Sequence, residues 1–424
     1  MNILDYLENE FSSFENLPFN VIDSAVLSQF CMVRCEGLVP PLNPDESAAQ
    51  QQRKTGFTSK ASLTKLLSAL TKNSKQSKTK QPAARFVNLL RAERYSEMFT
   101  GLVPERIKSI LVALAASPRF RTLSLQDYLS IFDKKTSNQF AAITFVYNSK
   151  NAQNEFAYIG FRGTDTSITG WRENFNMAYT SPVPAQAQAL RYLETVAPHL
   201  PQRLYVGGHS KGGNLALYAA LKASSDIQQR IDTVFVHDAP GFKRGAISSE
   251  EWARLNGRID RTIPEESIVG MLMDCPAPAR IVKAQEHGFD QHSIFNWDLN
   301  AQMNDFSYTE KIADSAEFFD EVFSEWLAQY SDDEAAEIVD ALFKAIEVSG
   351  ITNATELFFG GIKIIPLISK AAQNLDNESG TVLRNALGSL AVIAANQAGR
   401  NIGQNVQDAS KSVQEYLSTK FSKD

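Results

Sequence analysis

The 424-residue sequence predicts an α/β protein: a mostly parallel sheet with helices on its faces, followed by a helical C-terminal region. Three observations carry this. Between Phe140 and Lys283, short β-branched and aromatic runs alternate with longer stretches of helical periodicity, the order expected of parallel strands joined by crossover helices. Inside that stretch, Gly208-His209-Ser210-Lys211-Gly212 stands between the strand-like run Arg203 to Gly207 and the helix-like run Gly213 to Ala220. From Tyr308 onward no comparable strand alternation occurs, and helical spacing takes over.

Taken in order, residues 1–45 mix apolar and aromatic positions with acids. Phe19 to Ser24 followed by Ala25 to Phe30 reads as a cap and then a helix, expected to pack on the core. Residues 46–85 shift to Gln, Ser, Thr and Lys, with no acid after Glu46, and read as a basic insertion or linker. Within it Leu63 to Leu70 has the pattern of a short amphipathic helix with a basic face, either a solvated face or a lid that makes peripheral membrane contact.

Residues 86–305 carry the strand candidates Phe140–Val146, Glu155–Phe161, Leu204–Val206, Thr233–Val236, Ile259–Ile263 and Ala279–Lys283. Helices are expected between them at Ala185–Ala197, Asn214–Ser224 and Glu250–Asn256. Residues 306–424 are expected to be helical at Asp314–Gln329, Asp333–Val348 and Thr381–Ala395. That region opens with eleven acids and one base, Lys344, between Asp314 and Glu347.

Composition narrows the function classes. A net charge of −6 offers no general attraction for nucleic acid. Cys31, Cys35 and Cys275 are too few and too scattered for a disulfide framework or a zinc site, so no metal is expected. Asp5, Glu8 and Glu10 fall where an export signal needs a basic and then an apolar run, and Leu357–Ile368 is too short and too interrupted to span a bilayer. A cytoplasmic location is expected; the oligomeric state is left open.

The pentapeptide has the form of a nucleophile elbow, in which a serine occupies a sharp strand-to-helix turn and the flanking glycines avoid side-chain clashes. Ser210 is then the candidate nucleophile. A serine hydroxyl needs a base, itself oriented by a carboxylate. In α/β-hydrolases the chain order is Ser, acid, His, with the histidine after the last strand, which leaves His199, His209 and His237 aside; of His287 and His292, the latter is favoured because the loop Gly288 to Trp297 places it before an aromatic anchor.

For the acid, Asp238 ends the strand after the elbow helix, whereas Glu266 follows the next strand. Asp238 is favoured, with Glu266 the alternative. Oxyanion donors are expected at the backbone N–H of Lys211 and at Thr164, in the loop Phe161-Arg162-Gly163-Thr164-Asp165. Arg162 and Asp165 are expected to brace that loop by charge pairing, and the Lys211 ammonium to stand near the serine.

These motifs, together with Gly170-Trp171-Arg172-Glu173-Asn174-Phe175-Asn176-Met177, Asp238-Ala239-Pro240-Gly241-Phe242, Ser267 to Leu272 and Gln291-His292 before Trp297, resemble the Mbeg-like family of uncharacterised bacterial α/β-hydrolases. The resemblance runs from about Asn2 to about Trp297. More distantly, Phe161 to Thr164 and Gly208 to Gly213 are similar to the F-R-G-[ST] and G-H-S-x-G-G motifs of the class 3 lipases.

The resemblance implies an α/β-hydrolase fold, Ser210 as nucleophile, Lys211 and Thr164 at the oxyanion hole, His292 as base, and ester hydrolysis without a cofactor. Pro264-Glu265-Glu266-Ser267 departs from the lipase pattern where the acid would fall. The expected function is a serine hydrolase of acyl or lipid esters acting on a small-molecule or lipid substrate. The alternative is a non-catalytic binding or scaffold protein on the same fold.

Overall fold

The computed structural model of the chain describes residues 1–42, 82–91, 93–99, 101–350, 370–371 and 375–421. Leu63–Leu70 and Leu357–Ile368 lie outside them. Two helices open the chain, α1 (Ile3–Asn9) and α2 (Val21–Phe30), each begun by an asparagine whose side chain accepts backbone N–H groups of the first turn. After α3 (Pro104–Ala116) the sheet begins.

Eight strands lie side by side in chain order: β1 (Ser124–Asp133), β2 (Asn138–Tyr147), β3 (Phe156–Phe161), β4 (Arg203–His209), β5 (Ile231–His237), β6 (Ile259–Pro264), β7 (Ala279–Val282) and β8 (Tyr308–Thr309). Strands β3 to β7 pair in parallel, and β1, β2 and β8 add antiparallel edges. Helices α4 (Ile168–Asn176) and α5 (Pro184–Val196) connect β3 to β4. Helices α6 (Lys211–Lys222) and α7 (Ser225–Arg230) connect β4 to β5, and α8 (Ser249–Arg254) connects β5 to β6.

The period-2 alternation of the strands divides the core. Phe145, Tyr158, Tyr205 and Phe235 face one way, onto Ile22, Val26 and Phe30 of α2 and Ile110 of α3. Ala142, Ile159, Val206 and Val234 face the other way, onto Ala189 and Leu193 of α5 and Leu217 of α6. Both faces are thereby dry, which is why the central strands read as near-continuous apolar runs.

All ten residues of α2 are buried, and its polar side chains are tied inward. Asp23 takes a two-pronged ion pair from Arg119 and a hydrogen bond from Tyr6, while Ser24 reaches His237 and Ser28 reaches Tyr158.

Two strands escaped the sequence pattern. In β1 the register breaks between Gln126 and Leu129, where Asp127 has φ +56°, and the break destroys the alternation that would mark a strand. β8 is only two residues long.

The C-terminal helices are α9 (Asp314–Leu327), α10 (Asp332–Ser349) and α11 (Asn377–Phe421). Val339, Phe343 and Ile346 of α10 pack on Trp171 and Phe175 of α4, and Trp326 of α9 donates to the Ala386 carbonyl of α11 at 3.0 Å. Among the acids, Asp340 pairs with Arg172 and Asp332 with Lys243. Among the described residues, no helix is long and apolar enough to cross a membrane.

Candidate active site

β4 runs into α6 with Ser210 as the single turning residue, at φ 58° and ψ −133°. That backbone region costs a non-glycine residue about 1–3 kcal/mol, so the surroundings must impose it. Two glycines show how. A Cβ on Gly208 would lie 2.3 Å from the Gly212 carbonyl carbon, and one on Gly212 would lie 2.2 Å from the Phe161 carbonyl oxygen. The spacing G-x-S-x-G therefore lets strand, turn and helix close on each other and on β3. The turn is pinned by Ser210 N–H donating to the His237 carbonyl at 2.9 Å.

Asp238 follows β5 and is fully buried, with φ +40°. Its Oδ1 accepts from Ser267 Oγ at 2.5 Å and from the Gly270 N–H at 3.0 Å, and its Oδ2 accepts from His292 Nδ1 at 2.6 Å. With Nδ1 donating, His292 is left with Nε2 as its basic nitrogen. His292 and Ser210 border one cavity of about 350 Å³, together with Gly163 and Thr164. Among the described residues, no hydrogen bond joins the Ser210 hydroxyl to His292. In ligand-free enzymes such contacts are often long and tighten around substrate.

The structure places Glu266 elsewhere. Its carboxylate accepts from His287 Nδ1 at 2.8 Å and from the Gly288 N–H at 2.6 Å, and its own N–H donates to Gln291 Oε1 at 2.7 Å. Glu266 thus braces the loop that carries His292 and does not contact that ring, which corrects the alternative acid. The same loop is anchored by Trp297, whose buried Nε1 donates to the Gln291 carbonyl at 2.8 Å.

The Lys211 ammonium is turned away from the serine, contrary to expectation. Fully buried, it donates to Glu173 Oε2 at 2.5 Å and to the Gln139 carbonyl at 2.7 Å. Burial lowers its pKa, partly offset by Glu173. The reason is its position at the first turn of α6, beside β2 and α4. Its backbone N–H is among those a helix start leaves unpaired, which is the part an oxyanion donor needs.

Thr164 Oγ1 lies 3.0 and 2.8 Å from the amide oxygen and nitrogen of Asn174, so α4 holds both the loop and the lysine. Arg162 and Asp165 form no ion pair with each other; Asp165 accepts from the Ser167 N–H at 2.9 Å and begins the turn into α4.

Two other histidines, His209 and His237, hold the structure around the site. His209 donates from Nε2 to the His292 carbonyl at 2.7 Å, with the two rings 4.5 Å apart, so it steadies the candidate base. Burial, reinforced by His292, holds its pKa well below the ordinary range. His237 is buried between Ser24 and Thr262, and burial pushes its pKa down to about 3.

Sequence reasoning missed Glu173 and Asn174 as individual contributors, although both stand in the Gly170 to Met177 motif. It also missed the cavity residues Gln29 and Met32, which α2 and the turn after it supply from far outside any motif.

The model of the Mbeg1-like family matches residues 114–344, more than half of the sequence. The chain belongs to the Mbeg1-like family. The family match begins in the last turn of α3 and extends into α10, a different span from the expected Asn2 to Trp297. With β3 to β7 parallel and the elbow between β4 and α6, this member has the α/β-hydrolase fold.

Among solved structures, the Rhizomucor miehei lipase in its propeptide complex is 16% identical with a TM-score of 0.30, over 47% of this chain and 64% of that chain. M37 lipase is 20% identical with a TM-score of 0.28, over 39% and 63%. A fungal lipase in complex with an inhibitor is 19% identical with a TM-score of 0.29, over 42% and 69%. The match thus spans just under two thirds of the length of the first two. No curated protein matches the chain.

Proposed function

We propose that this Mbeg1-like protein is a serine hydrolase that cleaves carboxylic esters, with Ser210 as nucleophile, His292 as general base and Asp238 as the orienting acid. The observation that carries the reading is the 2.6 Å contact between Asp238 Oδ2 and His292 Nδ1, in a ring that shares a cavity with the strained Ser210.

His292 Nε2 takes the Ser210 hydroxyl proton as Oγ attacks the ester carbonyl carbon. The negative oxygen of the tetrahedral intermediate is met by the backbone N–H groups of Lys211 and Thr164. Collapse breaks the ester C–O bond, and the alcohol leaves with the proton held on His292. Water then gives its proton to the same nitrogen, attacks the acyl-serine and releases the acid and free Ser210. Asp238 stays ionised throughout and stabilises the imidazolium.

Turnover of short-chain nitrophenyl esters tests this. Wild-type activity is expected to vanish in Ser210→Ala and in His292→Ala, and turnover equal to wild type in either variant contradicts the proposal.

A further inference from the structure

Two residues that border the cavity beside Ser210 each hold a buried polar atom that the chain itself does not satisfy. Gln29 is on the wholly buried helix α2 and only 4% exposed, yet its Nε2 is shut off from solvent with no hydrogen-bond partner. The three other polar side chains of α2, Asp23, Ser24 and Ser28, all have protein partners. Gln29 differs from them in one respect: it borders the cavity. Ser293, next to His292, borders it too, and its buried Oγ likewise has no partner.

Buried polar groups without partners are rare because each forfeits the hydrogen bonds it made to water. Met32, Leu102, Val103, Ile107 and Phe289 supply the apolar part of the wall, and Arg106, Glu286, Asp290 and Asn296 also border it. A plain alkyl chain would meet only the apolar part of the wall and leave both polar groups orphaned. A half-turn about the Gln29 Cγ–Cδ bond exchanges its nitrogen and oxygen, so the amide can present either a donor or an acceptor. The Ser293 hydroxyl can likewise do either.

We propose that Gln29 and Ser293 select an ester whose acyl group carries a hydrogen-bonding substituent, a hydroxyl or an amide, over an unbranched alkyl ester. The inference rests on Ser210 being the nucleophile. Its physical basis is that a site built to hydrogen-bond a substrate group discriminates strongly against the analogue lacking it, whereas an apolar pocket discriminates weakly. Gln29 comes from the N-terminal layer, outside the family match, and Ser293 from inside it beside His292, so this specificity is shared between the layer and the catalytic core.

The test compares how fast two fluorophosphonates of equal chain length, one alkyl and one hydroxyalkyl, label Ser210 in the full chain. In wild type the hydroxyalkyl probe is expected to react about 10-fold faster or more, and Gln29→Met and Ser293→Ala are each expected to cut that ratio about 10-fold. Gln29→Met removes an unsatisfied group, so its melting temperature should equal or exceed that of wild type. A lower one would mean that the amide has a structural partner, and would overturn the inference.

An equal ratio in all three proteins, with Ser210 labelled, overturns this proposal and leaves the nucleophile standing. Absence of labelling at Ser210 in wild type overturns the nucleophile, and the specificity claim with it.

Discussion

At Asp238 three donors converge, from Ser267, Gly270 and His292, on one buried carboxylate. Its replacement by Asn presents an amide where the imidazole needs an acceptor and favours the wrong tautomer. Ester kcat/KM should fall about 10⁴-fold in Asp238→Asn. Glu266→Gln, which touches only the bracing loop, should lose no more than about 10- to 100-fold, as loosening an outer-shell partner does. Steady-state kinetics on the two variants separates the acids.

His237 makes stability depend on pH. Its folded pKa of about 3 lies below the ordinary 6.5, so between those values the unfolded chain binds the extra proton and stability falls as the pH is lowered. At pH 5 the loss is about 2 kcal/mol relative to pH 7. His209 adds to it in the same direction. Urea denaturation at both pH values should show a shallower pH dependence for His237→Gln than for wild type.

At this scale the sequence disclosed the Ser210, Asp238 and His292 candidates, because turn chemistry and chain order constrain them. It did not disclose Gln29, because an amide within an apolar helix carries no sign of which wall it will meet.

Among the elements, the elbow depends on a buried tie. Lys211 joins the first turn of α6 to Glu173 of α4 and to Gln139 of β2. Lys211→Met should cost about 3–5 kcal/mol, because it strands the Glu173 carboxylate without its counter-charge. The double variant Lys211→Met/Glu173→Leu should recover part of that loss, as seen by denaturant midpoints. The Lys211 backbone N–H survives both changes, so the folded fraction should still turn over ester.

The central strands and their crossover helices were legible from alternation and period. β1 was hidden by the break at Asp127, and α4 by its mixture of Trp171, Arg172, Glu173 and Asn174, which answer to the site rather than to a simple apolar stripe.

On the scale of the whole molecule, the Mbeg1-like region does not cover its own sheet. One face is closed by α1, α2 and α3, most of which precede residue 114. Val21, Ile22, Val26, Leu27 and Phe30 are at most 6% exposed. At about 1.5–3 kcal/mol each, their burial contributes about 8–15 kcal/mol, comparable with the whole stability of a typical domain. A fragment of residues 114–344 should therefore lack fixed tertiary structure. Near-UV circular dichroism should be flat for the fragment and structured for the full chain.

A cap and a helix at residues 19–30 were readable from sequence, but their role as a complete layer was not. Nothing in a short apolar helix says which face of a sheet it will cover.

The proposed hydrolase requires a reactive serine at the elbow. The most direct measurement is intact-mass spectrometry after incubation with a fluorophosphonate. One phosphonyl adduct is expected on the wild-type chain, mapped to Ser210, and none on Ser210→Ala. Equal labelling of the two proteins, or none on wild type, would contradict the proposal.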